Sequence, residues 1–268
     1  MYTHAYQLRA ALASWLSLTC VAAPPVHIGS DDWCPYICAA SKAKQPPTGF
    51  LVDITHDALA ANGYQAVPEL LPLNRAMTLT LSGKLDGIYA PEIDPRLRMT
   101  QPIIQSRACF YTLQDSHWRY GGIDSIQGRS LGVIADYGYD AGPMDAYLGT
   151  RKPGASNVDF NVGDNAGAVN VQKLLGRRYE IVLEHQTVMA HLLKQLGATA
   201  GVREAGCLDT PLPLVIGFSA TRPDVDQLVR SIDEGVKRMK SNGEFDRLRQ
   251  TYSVIGAQAA GVHSRAQQ

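Results

Sequence analysis

From residue 24 onward, apolar positions recur at two different spacings along the chain. Residues 26–29 read as a short apolar strand running into the polar loop Ser30-Asp31-Asp32-Trp33. Residues 53–62 place Ile54, Ala58, Leu59 and Ala61 at helical spacing, and Gly63 is a stop signal. Residues 66–71 read as a second strand, 74–82 as a short amphipathic helix and 85–89 as a third strand. After an extended apolar stretch at 102–113 the pattern restarts. It predicts strands at 128–134, 158–161 and 179–183, with helices at 143–148, 166–175 and 187–196. A second extended stretch, 213–220, precedes helices at 224–242 and 243–252. Strand-helix-strand alternation implies parallel sheets, so the fold class is α/β.

The two extended stretches bracket the middle segment. They predict a two-lobed molecule with a double crossing: residues 24–112 plus 214–256 form lobe 1, and 113–213 form lobe 2. No short-period repeat is present, which excludes a solenoid. Residues 257–268 read as a polar, flexible tail.

The first 23 residues add a destination. His4 and Arg9 precede a small-residue and apolar run over 10–21, and Ala22 and Ala23 precede Pro24 and Pro25. That is the layout of a cleaved secretory signal, too short to span a bilayer. Ser17, Leu18 and Thr19 before Cys20 make a poor lipidation site. Export places the rest of the chain in an oxidising compartment. Cys34 and Cys38 flank Pro35 and suit a disulfide within one tight loop. Cys109 and Cys207 pair or remain buried thiols.

Composition changes the picture little. There are 25 Lys plus Arg and 25 Asp plus Glu. A net charge of zero offers no broad attraction for nucleic acid. No phosphate loop, nucleophile triad, metal-ligand spacing or cofactor motif stands out.

Four stretches carry a resemblance: "DDWCPY" with "GFLVDI"; "LPLNRAMTLTLSGKLDGIYAPEIDPR"; "IQGRSLGVIADYGYD"; and "LPLVIGFSATRPDVDQLVRSIDEGVKRMKSNGEFDRLRQTY". In this order they resemble the type 2 periplasmic solute-binding proteins of the polar amino-acid branch. The resemblance implies a periplasmic-binding-protein-like fold, each lobe a mixed, mostly parallel sheet flanked by helices and joined by two hinge strands. It also implies a monomer that takes a small polar ligand, an amino acid or a related carboxylate or amine. The ligand passes to the membrane permease of an ABC-type transporter, with no cofactor.

The candidate ligand residues follow from the strand ends, because ligands of α/β sheets bind beyond the carboxyl ends of the strands. Asp32, Trp33 and Tyr36 follow the first strand. Trp33 covers a ligand or caps the core, and Asp32 meets an amine or caps its loop. Arg75 starts a helix beside the expected cleft and has the fork to grip a carboxylate. Glu92 and Arg96 follow the third strand. By the resemblance an Arg here holds the ligand carboxylate, with Arg98 the competitor. In lobe 2, free N–H groups around Tyr137, Gly138 and Tyr139 suit an anion. Glu184 and His185 end another strand where related amino-acid binders have an Asp for the ligand amine. His185 there would make binding pH-sensitive. Two rival functions share the fold: a cyclohexadienyl-dehydratase-like enzyme using Glu92, Glu184 or His185 as proton donors, and a sensory module acting through a separate receptor.

Overall fold

The computed structural model describes residues 23–256, except 41, 43, 44, 152, 153, 155, 156 and 164. Residues 1–22 of the expected export signal 1–23, and the expected tail 257–268, lie outside the described residues. Twelve strands and seven α-helices are seen among the described residues. In chain order they are β1 (Pro25–Ser30), α1 (Phe50–Ala60), β2 (Gln65–Leu70), α2 (Leu73–Leu81), β3 (Gly87–Tyr89), β4 (Leu97–Met99), β5 (Ile104–Ser106) and β6 (Ala108–Leu113). Then come β7 (Leu131–Ile134), α3 (Pro143–Gly149), β8 (Val158–Asn161), α4 (Ala166–Leu175), β9 (Ile181–His185), α5 (Gln186–Gln195) and β10 (Val202–Cys207). β11 (Leu212–Leu214), β12 (Ile216–Ser219), α6 (Val225–Asn242) and α7 (Glu244–Thr251) complete the chain.

The first sheet runs β2-β1-β3-β12-β4 and the second β10-β6-β9-β7-β8. In each, a central strand, β1 or β7, pairs in parallel on both sides. That is a topological switch point, where the loops after neighbouring strands diverge and open a crevice. β12 and β6 enter antiparallel, as the return and crossing segments. Each sheet is sandwiched between layers of buried side chains. Val26, Ile28, Leu59, Phe218 and Ile232 belong to the main core of lobe 1, and Ala76, Ile88 and Leu97 to a smaller one. Lobe 2 divides its core between a cluster with Phe110, Val133 and Leu183 and one with Tyr111, Val171 and Val182.

The two extended stretches are finer-grained than their hydrophobicity suggested. β5 and β11 pair with each other as a two-stranded antiparallel ribbon between the sheets, Pro213 opposite Gln105. β6 then joins the second sheet, between β10 and β9. Residues 108–112 of β6, expected in lobe 1, therefore pair within the second sheet. β4 and β10 were not visible in the pattern. β4 is three residues long, and β10 (VREAGC) is bulged between Glu204 and Gly206.

α1 begins three residues before its hydrophobic period does. The N–H groups of Phe50 and Leu51 donate to the carbonyls of Pro35 and Tyr36 at 2.9 and 3.0 Å. Those donors would otherwise be orphaned at the helix start. The approach depends on Gly49 at φ +133°, where an added Cβ would sit 2.4 Å from the Tyr36 carbonyl oxygen. The Cys34–Pro35–Tyr36 loop is thus clamped onto α1, and the expected Cys34–Cys38 disulfide closes it.

The second disulfide, left open by the sequence, joins Cys109 to Cys207 across β6 and β10. It spans 98 residues, nearly all of lobe 2. Closing a loop of that length removes much of the unfolded chain's freedom. The double substitution Cys109→Ala, Cys207→Ala is expected to lower stability by roughly 3–5 kcal/mol in denaturant titrations. Removing the short Cys34–Cys38 bridge is expected to cost less.

Candidate functional site

The loops that leave β1, β3, β7 and β9 meet between the lobes. They enclose a cavity of about 320 Å³, with Leu212, Pro213 and Leu214 of the ribbon also in its wall. Trp33 and Tyr137 form its aromatic side, and Ser30, Asp31, Glu92 and Gly138 stand among its polar groups. The lobes touch across it. The Tyr137 hydroxyl of lobe 2 donates to Asp31 Oδ2 of lobe 1 at 2.5 Å. Asn74 of α2 donates to Asp136 at 2.6 Å. Glu92 overhangs Gly138, where a Cβ would come within 3.1 Å of Glu92 Oε1.

Behind the aromatic side runs a buried chain of hydrogen bonds. The Tyr36 hydroxyl donates to Ser106 Oγ at 3.2 Å. Ser106 Oγ lies 2.9 Å from His185 Nδ1, and His185 Nε2 lies 3.2 Å from the Gly138 carbonyl oxygen. A carbonyl only accepts, so Nε2 carries the proton and Nδ1 accepts from Ser106. Burial pushes the His185 imidazole down to about 4. It is neutral at physiological pH, which removes the pH-sensitivity expected of it. Tyr139 stacks on its ring at 5.9 Å.

The electrostatics of the cavity are one-sided. Asp31, Glu92, Asp136 and Asp145 line it, and no Lys or Arg does among the described residues. Burial raises the Asp31 carboxyl against the pull of its Tyr137 hydrogen bond. Glu92 is raised first by burial and then by the like charges of Asp145 and Asp136, and it has no hydrogen-bond or ion-pair partner among the described residues. Of the N–H groups expected to hold a ligand anion, that of Tyr139 already has a carboxylate. Asp145 Oδ2 accepts from the backbone of Tyr139, Asp140 and Ala141 at 3.1, 3.1 and 2.7 Å.

Of the candidates named from the sequence, Trp33, Glu92, Tyr137, Gly138 and His185 meet at this cavity. Asp32 and Glu184 line a second one of about 400 Å³, on the other side of Trp33 and Tyr137. Four candidates are elsewhere. Tyr36 and Tyr139 are fully buried in the cores of lobes 1 and 2, because each hydroxyl has a protein partner: Ser106 for Tyr36 and the Ile134 N–H for Tyr139. Arg75 points to solvent on α2. Arg96 is exposed and chelated by Asp94, two residues back, at 2.6 Å; Arg98 is exposed on β4. The expected grip of an Arg on a ligand carboxylate is therefore not assembled. Asp136 and Asp145 were missed. Both lie in the loop after β7 and at the start of α3, where only aromatic and glycine residues drew notice.

Glu184 and His185 also predict how stability follows pH. Burial holds the Glu184 carboxyl up at about 8, above its unfolded value near 4.5, so its contribution is complete below 4.5 and is lost as pH rises through 8. His185, depressed to about 4 from an unfolded value near 6.5, contributes above 6.5 and loses this as pH falls through 4. The two slopes cancel between pH 4.5 and 6.5. From pH 6.5 to 8 only Glu184 acts, and stability is expected to fall by about 1.4 kcal/mol per pH unit. Denaturant titrations across that window should show the slope, and Glu184→Gln should remove it.

A family model described as bacterial extracellular solute-binding proteins, family 3, matches residues 26–255. No curated protein matches the chain significantly. Among solved structures, a histidine kinase sensor domain with similarity to periplasmic binding proteins aligns with TM-score 0.67 and 16% identity over 85% of this chain and 95% of its own. An ancestral arginine-binding protein bound to arginine aligns at 0.67 and 17% over 87% and 99%. An ancestral amino-acid-binding protein, a precursor of cyclohexadienyl dehydratase, aligns at 0.65 and 16% over 85% and 95%. At such identities the structures speak for the two-lobed fold alone. The family match spans both lobes and the ribbon between them, and the chain belongs to the family 3 bacterial extracellular solute-binding proteins.

Proposed function

We propose that this periplasmic binding protein captures a small organic cation between its lobes and delivers it to the permease of an ABC-type transporter. The observation that carries the reading is the charge of the first cavity: four carboxyls in its wall and no basic side chain among the described residues. A cation desolvated there gains what bulk water would have supplied. Trp33 and Tyr137 add aromatic surface, which attracts ammonium and guanidinium groups. Glu92 is the partner in waiting, unpaired and at the mouth beside the exposed Ile93.

Arginine, the ligand of one structural relative, combines a guanidinium with a carboxylate. In this chain the cationic half finds partners. The carboxylate half finds no Arg in the first cavity, since Arg75, Arg96 and Arg98 face solvent, and Asp145 occupies the amides of Tyr139, Asp140 and Ala141. Amines and cationic amino acids are the favoured class, with the α-carboxylate a secondary feature. The raised carboxyl of Glu92 also supports a second reading, proton transfer to a bound cyclic acid, as in a dehydratase.

In thermal-shift assays butylamine, putrescine and arginine are expected to raise the melting temperature, and dicarboxylates and sugars to leave it unmoved. Stabilisation by a dicarboxylate would sink the cation reading. Glu92→Gln should weaken amine binding by about 10-fold or more, on the scale of a charge-assisted hydrogen bond. Arg96→Ala should leave affinity within about twofold, as expected of an exposed ion pair remote from the ligand. Loss of binding in Arg96→Ala would restore a carboxylate-gripping site. Turnover of prephenate or arogenate by the wild type, lost in Glu92→Gln, would favour the enzyme.

A further inference from the structure

A third cavity, of about 350 Å³, adjoins the first: Glu92, Asp136, Tyr137 and Asp145 line both. The acids of this shared wall are not equivalent. Asp145 is occupied by backbone N–H groups and Asp136 by Asn74, whereas Glu92 has no partner among the described residues. Beyond the shared wall the third cavity adds apolar surface from Ile134, Leu148 and Phe160. It also adds one further charge, Arg151, and no other Lys or Arg lines it among the described residues.

Arg151 follows α3, and its backbone N–H donates to the Leu148 carbonyl at 2.9 Å. Its guanidinium carbon lies 4.2 Å from the centre of the Tyr147 ring, four residues back. Stacking of this kind positions a guanidinium without using its donors. The side chain is half-buried and makes no hydrogen bond or ion pair among the described residues. Its Nε is shielded from solvent and unpartnered, which is uncommon for a buried donor. Glu92 and Arg151 thus share one wall, carry opposite charges and do not pair with each other.

We infer that the ligand is dipolar and that Arg151 receives its anionic end. The inference rests on the cation reading above and names the class more closely: an ω-amino acid, with an ammonium and a carboxylate at opposite ends of an alkyl chain. The ammonium pairs with Glu92 in the first cavity. The hydrocarbon spacer meets Ile134, Leu148 and Phe160, whose burial against it is favourable. The carboxylate accepts from the planar fork of the guanidinium. A second ammonium in place of the carboxylate would meet Arg151 like to like, so a diamine is disfavoured at this end. Arg151 acts here as a specificity-determining residue. It is invisible to a search of strand ends, because it lies beyond the helix that follows β7.

The test is calorimetric titration of the purified protein at neutral pH with 6-aminohexanoate, its methyl ester and hexylamine, which share one ammonium and differ at the other end. The wild type is expected to bind the acid about tenfold or more tighter than the ester, on the scale of a hydrogen bond between charged groups. Arg151→Met should bring the acid down to the ester, while hexylamine binds the variant at least as tightly, a repelling charge being gone. Arg151→Lys should keep part of the preference for the acid. Acid and ester within about twofold of each other in the wild type overturn the inference, and that comparison needs no variant. So does an Arg151→Met protein that loses all three compounds alike, the mark of a structural role. Ester and hexylamine that bind through Glu92, with no gain for the acid, overturn the anionic end alone and leave the cation reading standing. Affinities untouched by Glu92→Gln, or no binding by any of the three, overturn both.

Discussion

The chain of hydrogen bonds from Tyr36 through Ser106 to His185 and the Gly138 carbonyl ties three parts of the molecule into one unit. Tyr36 belongs to the loop clamped on α1, Ser106 to the ribbon, and His185 to the end of β9. Tyr36, Ser106 and His185 are buried, so the bonds among them are made in a medium where an unmade one is costly. The chain fixes the imidazole tautomer and holds its edge against Trp33, with ring centroids 5.2 Å apart. Trp33 in turn separates the first and second cavities. Their shape therefore depends on a mostly buried polar thread.

Around that thread the protein concentrates acid. The Tyr137 hydroxyl donates to Asp31 across the lobes, and Asn74 donates to Asp136. Asp145 and Asp140 satisfy the backbone amides of the loop leading into α3. These pairings consume hydrogen-bond donors without supplying a cation. Glu92 is left over at the mouth of the first cavity, and Glu184 keeps one buried carboxyl oxygen without a partner. A carboxyl without a countercharge costs free energy in the free protein, and a cationic ligand offsets that cost.

Much of the scaffold was legible from residue patterns. The α4 period matches its observed span residue for residue, and β8 does the same. Gly63 follows α1 closely, as a stop signal should. Cys34 and Cys38 pair as their spacing implied. Short or bulged elements were not legible. β4 holds three residues in place only because Gly217 and Phe218 offer it a ladder, and three residues have no period. The start of α1 was misplaced because carbonyls of the preceding loop, not a side chain, cap it.

The site divides the same way. Sequence alone determined that polar and aromatic residues would gather at the carboxyl ends of β1, β3, β7 and β9, since parallel strands expose those ends together and local composition reveals the loops. Tertiary structure decided which of those residues face the cleft. Trp33 does and Tyr36 does not, though only three positions separate them. Arg96 turns to Asp94, and Tyr139 turns inward to the Ile134 N–H. The reason is that a polar group takes the nearest partner that desolvation leaves it. That partner comes from a strand or loop distant in the chain as often as from a neighbour.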